Sequence, residues 1–309
     1  MELVASIEVE NTLGEGIVWD VATQSAWWTD IEERWLYRYE WASRKLEKFV
    51  TPERLCSFGF VAGASCLIAA FETRFALYDP RSGALKSLGR PDGIRPGIRL
   101  NDGRVDRQGR FWAGGMAENK VLAGGAHLYC LDKDGRIHRR ENGITTSNSI
   151  CWSPDAAWFY FADSPARTIW RYAFDAANGS ISSRTVFIQT EEGAEPDGTA
   201  VDAEGFIWNA QWGAGRVVRY ASDGCIDRVL EVPVSHPTCV AFGGPKLDLL
   251  FVTSARRPLS AATLAGQPNA GNVLVYKSGT AGLPEHRYRF SEVSVLDCLS
   301  GDGNSGTHG

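Results

Sequence analysis

Short runs rich in Val, Ile, Phe, Trp and Tyr alternate along the chain with turns built from Gly, Asp, Asn and Pro. Runs punctuated in this way predict β-strands. No segment holds the apolar period of an amphipathic helix. The runs also recur in a fixed order: a small-residue strand, a turn with Asp or Gly, an aromatic strand, then a strand closing on Tyr. Ile17-Val18-Trp19-Asp20, Ala26-Trp27-Trp28-Thr29-Asp30 and Leu36-Tyr37-Arg38-Tyr39 make the first unit. Gly59-Phe60-Val61, Cys66-Leu67-Ile68-Ala69-Ala70 and Phe75-Ala76-Leu77-Tyr78-Asp79 make the second. The other four centre on the aromatic runs at Phe111-Trp112, Trp158-Phe159-Tyr160-Phe161, Phe206-Ile207-Trp208 and Leu250-Phe251-Val252.

About six units of roughly 40–50 residues match the size of propeller blades. A lone four-stranded sheet leaves both faces wet, whereas radial stacking lets each blade cover its neighbour. The expected fold is all-β, a six-bladed β-propeller with a central channel, its tryptophans and phenylalanines mostly blade-to-blade core. Leu3–Val9 is an alternating strand left over at the start, and pairing with the last blade would close the ring. One propeller domain is expected over residues 1–298. The tail, 299–309, has no apolar anchor and is expected to be flexible.

Charge narrows the partners. A net charge of -5, with no lysine or arginine run, disfavours nucleic acid and anionic membranes, which need a basic footprint. The stretch from Phe58 to Phe71 is too short to span a bilayer. Seven scattered cysteines without a CxxC pair suit reduced thiols, and the first residues lack a secretory pattern, so a cytoplasmic location is expected. Cys151 and Cys239 fall in inner strands and read as packed thiols. No protein partner is evident.

In a propeller the innermost strands run beside the axis, so polar residues just ahead of successive inner strands should face one another. Glu15, Asn101, Asn148 and Asp197 occupy equivalent points of units one, three, four and five. Singly, each reads as a turn residue, since Asn-Asp-Gly and Pro-Asp-Gly are ordinary turns. Together, two carboxylates and one or two amide oxygens make a hard, all-oxygen site suited to one divalent ion: Ca, Mg or Mn, with Zn or Fe also accommodated. The histidines form no HxxxH or HExxH pair, no GxSxG elbow is present, and no nucleotide-binding glycine pattern occurs. Asp132-Lys133-Asp134-Gly135 starts like a calcium loop but lacks the later ligands, and reads as a hairpin turn.

Leu13-Gly14-Glu15-Gly16, Arg99-Leu100-Asn101-Asp102-Gly103, Ser147-Asn148 and Pro196-Asp197-Gly198 together resemble the gluconolactonase/regucalcin (senescence marker protein) family of sugar lactonases. The likeness runs from about Leu13 to Ala255. It implies Glu15, Asn148 and Asp197 as ligands of one divalent metal ion, and Asp197 also as catalytic base. A carboxylate on a dication loses basicity, so base and mere ligand both stay open for Asp197. The resemblance further implies Arg99 and Asn101 as substrate contacts. Where regucalcin has a further glutamate, Gly115-Met116-Ala117-Glu118-Asn119 places Asn119, with Glu118 adjacent.

The implied activity is metal-dependent opening of a sugar-acid lactone, an aldonolactone or aldarolactone, to the free acid. Two other functions use the same scaffold: a non-catalytic, divalent-metal-binding propeller of regucalcin type, and a phosphoester or organophosphate hydrolase.

Overall fold

The computed structural model describes residues 1–290 of the chain. Residues 291–298 of the expected domain, and the whole tail 299–309, lie outside the described residues. Six four-stranded antiparallel sheets form six blades of a propeller. The innermost strands are Gly14–Asp20, Leu55–Phe60, Ile98–Val105, Ser147–Trp152, Glu195–Val201 and Pro237–Gly243. Leu3–Ile7 pairs with Val273–Lys277, so the last blade takes its outermost strand from the start of the chain and the ring is closed by hydrogen bonds.

Each blade has one strand more than its aromatic signature announces. The outermost strands of the first five blades, such as Lys45–Val50 and Ile226–Glu231, are largely exposed and polar. Their positions follow from backbone pairing to the third strands, with little apolar pattern of their own. The interfaces between blades are aromatic, as expected. Trp27 meets Phe60 edge-on, Phe75 meets Phe111, Trp112 packs on Phe159, Trp208 meets Phe242, and Trp19 lies against Phe251. Between blades four and five, Cys151, Tyr160 and Ile169 pack with Val201 and Ile207.

Two blades share a polar pin inside this core. Asp106 Oδ2 accepts from Arg110 Nε at 2.6 Å and from Trp112 Nε1 at 3.0 Å. Asp202 Oδ2 accepts likewise from Trp208 Nε1 at 2.9 Å and from the Arg219 guanidinium. Both carboxylates are fully buried, and these donors, with backbone N–H groups on the other oxygen of each, offset their desolvation. Asp132 caps its own hairpin by accepting from Asp134 N and Arg136 N at 2.9 Å, the turn the sequence predicts.

Residues 278–290 cross the ring at the ends where the inner strands finish. Ala203 N donates to Ala281 O and Gly282 N to Leu247 O, Glu285 pairs with Arg104 at 3.1 Å, and Arg287 pairs with Asp20. Tyr288 exchanges backbone hydrogen bonds with Phe60 and Ala62, and Arg289 N donates to Gly109 O. This segment straps blades six, five, one, two and three together, and no strand or helix pattern in its sequence announces it. Among the described residues, no helix is long and apolar enough to cross a membrane.

Candidate active site

At the opposite end, where the inner strands begin, a cavity of about 320 Å³ opens on the axis. Glu15, Arg99, Asn101, Asn148 and Asp197 line it, together with Glu118. The first five lie inside the inner strands and not in loops ahead of them, as the sequence reading had placed the four oxygen-bearing residues. The reason is a repeated irregularity: register shifts interrupt pairing between Glu15 and Val18, Leu100 and Gly103, Asn148 and Cys151, and Pro196 and Thr199. A bulge re-aims a side chain that regular pleating would send into the blade. Here the interruptions fall at the polar residues that line the cavity in blades one, three, four and five.

The bulges need unusual backbone. Ser149 takes the left-handed region at φ 61°, uncommon for a residue with a side chain. Its hydroxyl donates to Asp197 O at 2.6 Å, tying blade four to blade five at the site. Gly198 lets blades five and six approach, because a Cβ there would fall 2.5 Å from Cys239 Sγ.

Asn148 is oriented from behind. Its Nδ2 donates to Ser164 Oγ at 2.8 Å, and that hydroxyl donates to Pro196 O at 2.8 Å. Its Oδ1 accepts from Asn101 Nδ2 at 3.2 Å. Asn101 also donates to Ser147 O, and its own Oδ1 accepts from Arg99 Nη1 at 2.7 Å. Both ends of Asn101 are thus engaged within the protein. Arg99 Nη1 further donates to Leu100 O, while Arg99 Nε is buried without a hydrogen-bond partner and stands 3.7 Å from Glu118 Oε1.

Asn119 and Glu118 divide. Glu118 lines the cavity. Asn119 is exposed and lies outside the lining, because its carbonyl oxygen accepts from Leu122 N to cap a short 3-10 turn at Lys120–Leu122. His236 also stays out of the lining, its ring packed 4.2 Å from that of Trp212.

Two carboxylates face each other in this buried setting. Burial, then the charge of Asp102, pushes Glu15 up to about 8. Burial, then the charge of Glu15, raises Asp197 well above the ordinary carboxylate range. Asp197 Oδ1 is buried and has no hydrogen-bond partner. A pair of like charges out of water with an orphaned oxygen is costly unless a proton or a cation compensates. Asn148 lines the same cavity, and its amide oxygen with the two carboxylates would make an all-oxygen donor set that fits a hard divalent ion.

Residues 13–256 match the SMP-30/Gluconolactonase/LRE-like region. The chain belongs to this family. Among its relatives is an L-arabinolactonase of Azospirillum brasilense, 36% identical over 91% of this chain and 93% of that protein. A 6-deoxy-6-sulfogluconolactonase of Pseudomonas putida is 34% identical over 89% and 94%. The crystal structure of a calcium-binding protein, regucalcin, from Agrobacterium tumefaciens superposes with a TM-score of 0.88 at 34% identity, covering 93% of this chain and 98% of that one.

Several lining residues had no role in the sequence reading: Glu32, Glu195, Trp212, Arg257 and Pro258. Glu195 was within view, two residues before Asp197 on the same strand. Ser164 was not, since nothing local marks a serine after an aromatic strand as the partner of Asn148.

Proposed function

We infer that this protein is a sugar-lactone hydrolase, opening a cyclic ester of a sugar acid to the free acid. The orphaned Asp197 oxygen, facing Glu15 and Asn148 in a family of lactonases, carries this reading. Glu15, Asn148 and Asp197 would hold one divalent ion, which when bound supplies Lewis-acid polarisation of a lactone carbonyl.

The remaining work falls to the chain's own groups. The Asp197 carboxylate is the group placed to take a proton from the attacking water. Water adds to the carbonyl carbon, the ring C–O bond breaks, and the proton passes to the departing ring oxygen, leaving a hydroxyl and a carboxylic acid. Arg99 Nε is an unspent donor for a substrate oxygen. Asn101 acts one step back, fixing both the Arg99 fork and the Asn148 amide. Leu13, Met116, Trp212 and Pro258 offer apolar surface to the ring and displace water from it.

Six cysteines among the described residues are free thiols, five of them buried, which supports a reducing compartment such as the cytoplasm. A phosphoester substrate is disfavoured by the carboxylates that crowd the cavity. The test is acid release from a panel of five- and six-membered sugar lactones, followed with a pH indicator, before and after chelation and with divalent ions restored. Metal-dependent stabilisation without turnover of any lactone would instead support a non-catalytic metal-binding propeller.

A further inference from the structure

The cavity wall holds more carboxylates than a cation needs. Beyond Glu15 and Asp197, it is lined by Glu32, Glu118 and Glu195. Two of these three are already neutralised. Glu32 pairs with Arg257, and Glu118 takes the Arg54 guanidinium at 2.7 Å. Arg54 is further held by Glu72 at 2.6 Å. Glu195 is different: among the described residues no hydrogen bond or ion pair ties its half-buried carboxylate, and its charged neighbours, Asp163 and Asp197, bear the same sign. A stability role does not account for a carboxylate held there, since like charges at a half-buried site are unfavourable.

Hydrogen-bond bookkeeping points the same way. A sugar hydroxyl needs an acceptor, and a carboxylate is acceptor only, giving a strong charge-assisted bond. A carboxylate or sulfonate on the substrate would instead need an uncommitted cationic fork. Arg54 and Arg257 are spent on glutamates, and Arg99 has Nη1 spent on Asn101 and Leu100 and its charge faced by Glu118 3.7 Å from Nε, which leaves Nε as a single donor and not a free fork.

We propose that Glu195 is a specificity-determining residue, accepting hydrogen bonds from substrate hydroxyls and repelling anionic lactones, so that the substrate is an uncharged aldonolactone. This rests on the lactonase reading and goes beyond it, because that reading leaves aldono- and aldarolactones equal.

The test uses the full chain saturated with a divalent ion, on neutral aldonolactones and on lactones of the same ring size bearing a carboxylate or sulfonate. The unaltered protein is expected to favour the neutral series in kcat/KM by roughly tenfold or more. Glu195→Gln is expected to lose roughly tenfold on neutral lactones, mostly as a raised KM, while its activity on anionic lactones rises. Glu195→Asp keeps the charge and should keep the exclusion of anions, which provides a readout if the Gln variant melts early. Preference of the unaltered protein for anionic lactones, or a neutral-to-anionic ratio that Glu195→Gln leaves unchanged, overturns the proposal while leaving a lactonase. Absence of turnover with every lactone overturns the lactonase reading, and this inference with it.

Discussion

Asn148 Nδ2 donates to Ser164 Oγ at 2.8 Å, and this bond decides which end of the amide faces the channel. Removing it frees the amide to rotate and present NH₂ where an oxygen is needed. Ser164→Ala is therefore expected to weaken divalent-ion binding by roughly tenfold or more with the fold intact. Titration calorimetry against the ion alone checks this, and unchanged affinity would show that Asn101 suffices to orient Asn148.

Asp197→Asn should separate stability from activity. It removes one of two buried, mutually repelling carboxylates at nearly constant shape. Lactone opening is expected to fall by roughly 10³-fold. The chelated protein should at the same time melt about 2–4 °C higher. A variant that melts lower in chelator would contradict the electrostatic reading of the pair.

Chelation of the unaltered protein is expected to abolish turnover and lower Tm, and restored divalent ion should recover both. At an ion concentration of about 100 times Kd the linkage is worth about 2.7 kcal/mol. Calorimetric scans across an ion series measure it directly.

His286 gives the strap a pH dependence. Burial holds its imidazole below the ordinary 6.5, so between that lowered value and 6.5 the folded protein binds fewer protons than the unfolded chain. The stability contributed is complete above 6.5 and is lost as pH falls through the folded value. The His286 contribution to Tm should therefore fall as pH drops below 6.5, so His286→Gln should lose less Tm over that range than the unaltered protein, both measured in chelator, where the raised Glu15 and Asp197 act equally on the two. His236 and His127, also lowered by burial, contribute in the same direction.

Asp106→Ala removes the acceptor of Arg110 and Trp112 within a fully buried pin. The cost should be about 3–5 kcal/mol, since it leaves an uncompensated buried guanidinium. Urea unfolding, read as the shift in midpoint at constant slope, provides the value.

Much of this molecule is legible in its sequence because blades repeat, and repetition makes equivalent positions comparable. Glu15, Asn101, Asn148 and Asp197 stand out only when the units are aligned, and the aromatic strands mark every interface. Other features depend on contacts between distant segments. The outer strands are too polar to signal themselves, and the bulges that move the four residues into the strands leave no local mark. Arg257 and Glu32 reach the cavity from different blades, and Asn119, placed by its match to regucalcin's glutamate, lies outside the cavity lining because a helical turn diverts it to a cap. The strap at 278–290 has no periodicity, being held by partners up to hundreds of residues away.

That strap also bears on traffic. With Glu285 on Arg104 and Tyr288 stitched to blade two, the strap lies across the ring at the end away from the cavity. On the lactonase reading, the next lactone enters and the newly made acid leaves through the cavity mouth at the opposite end. An anion leaving past unneutralised Glu195 is pushed outward by the same charge that screens arrivals.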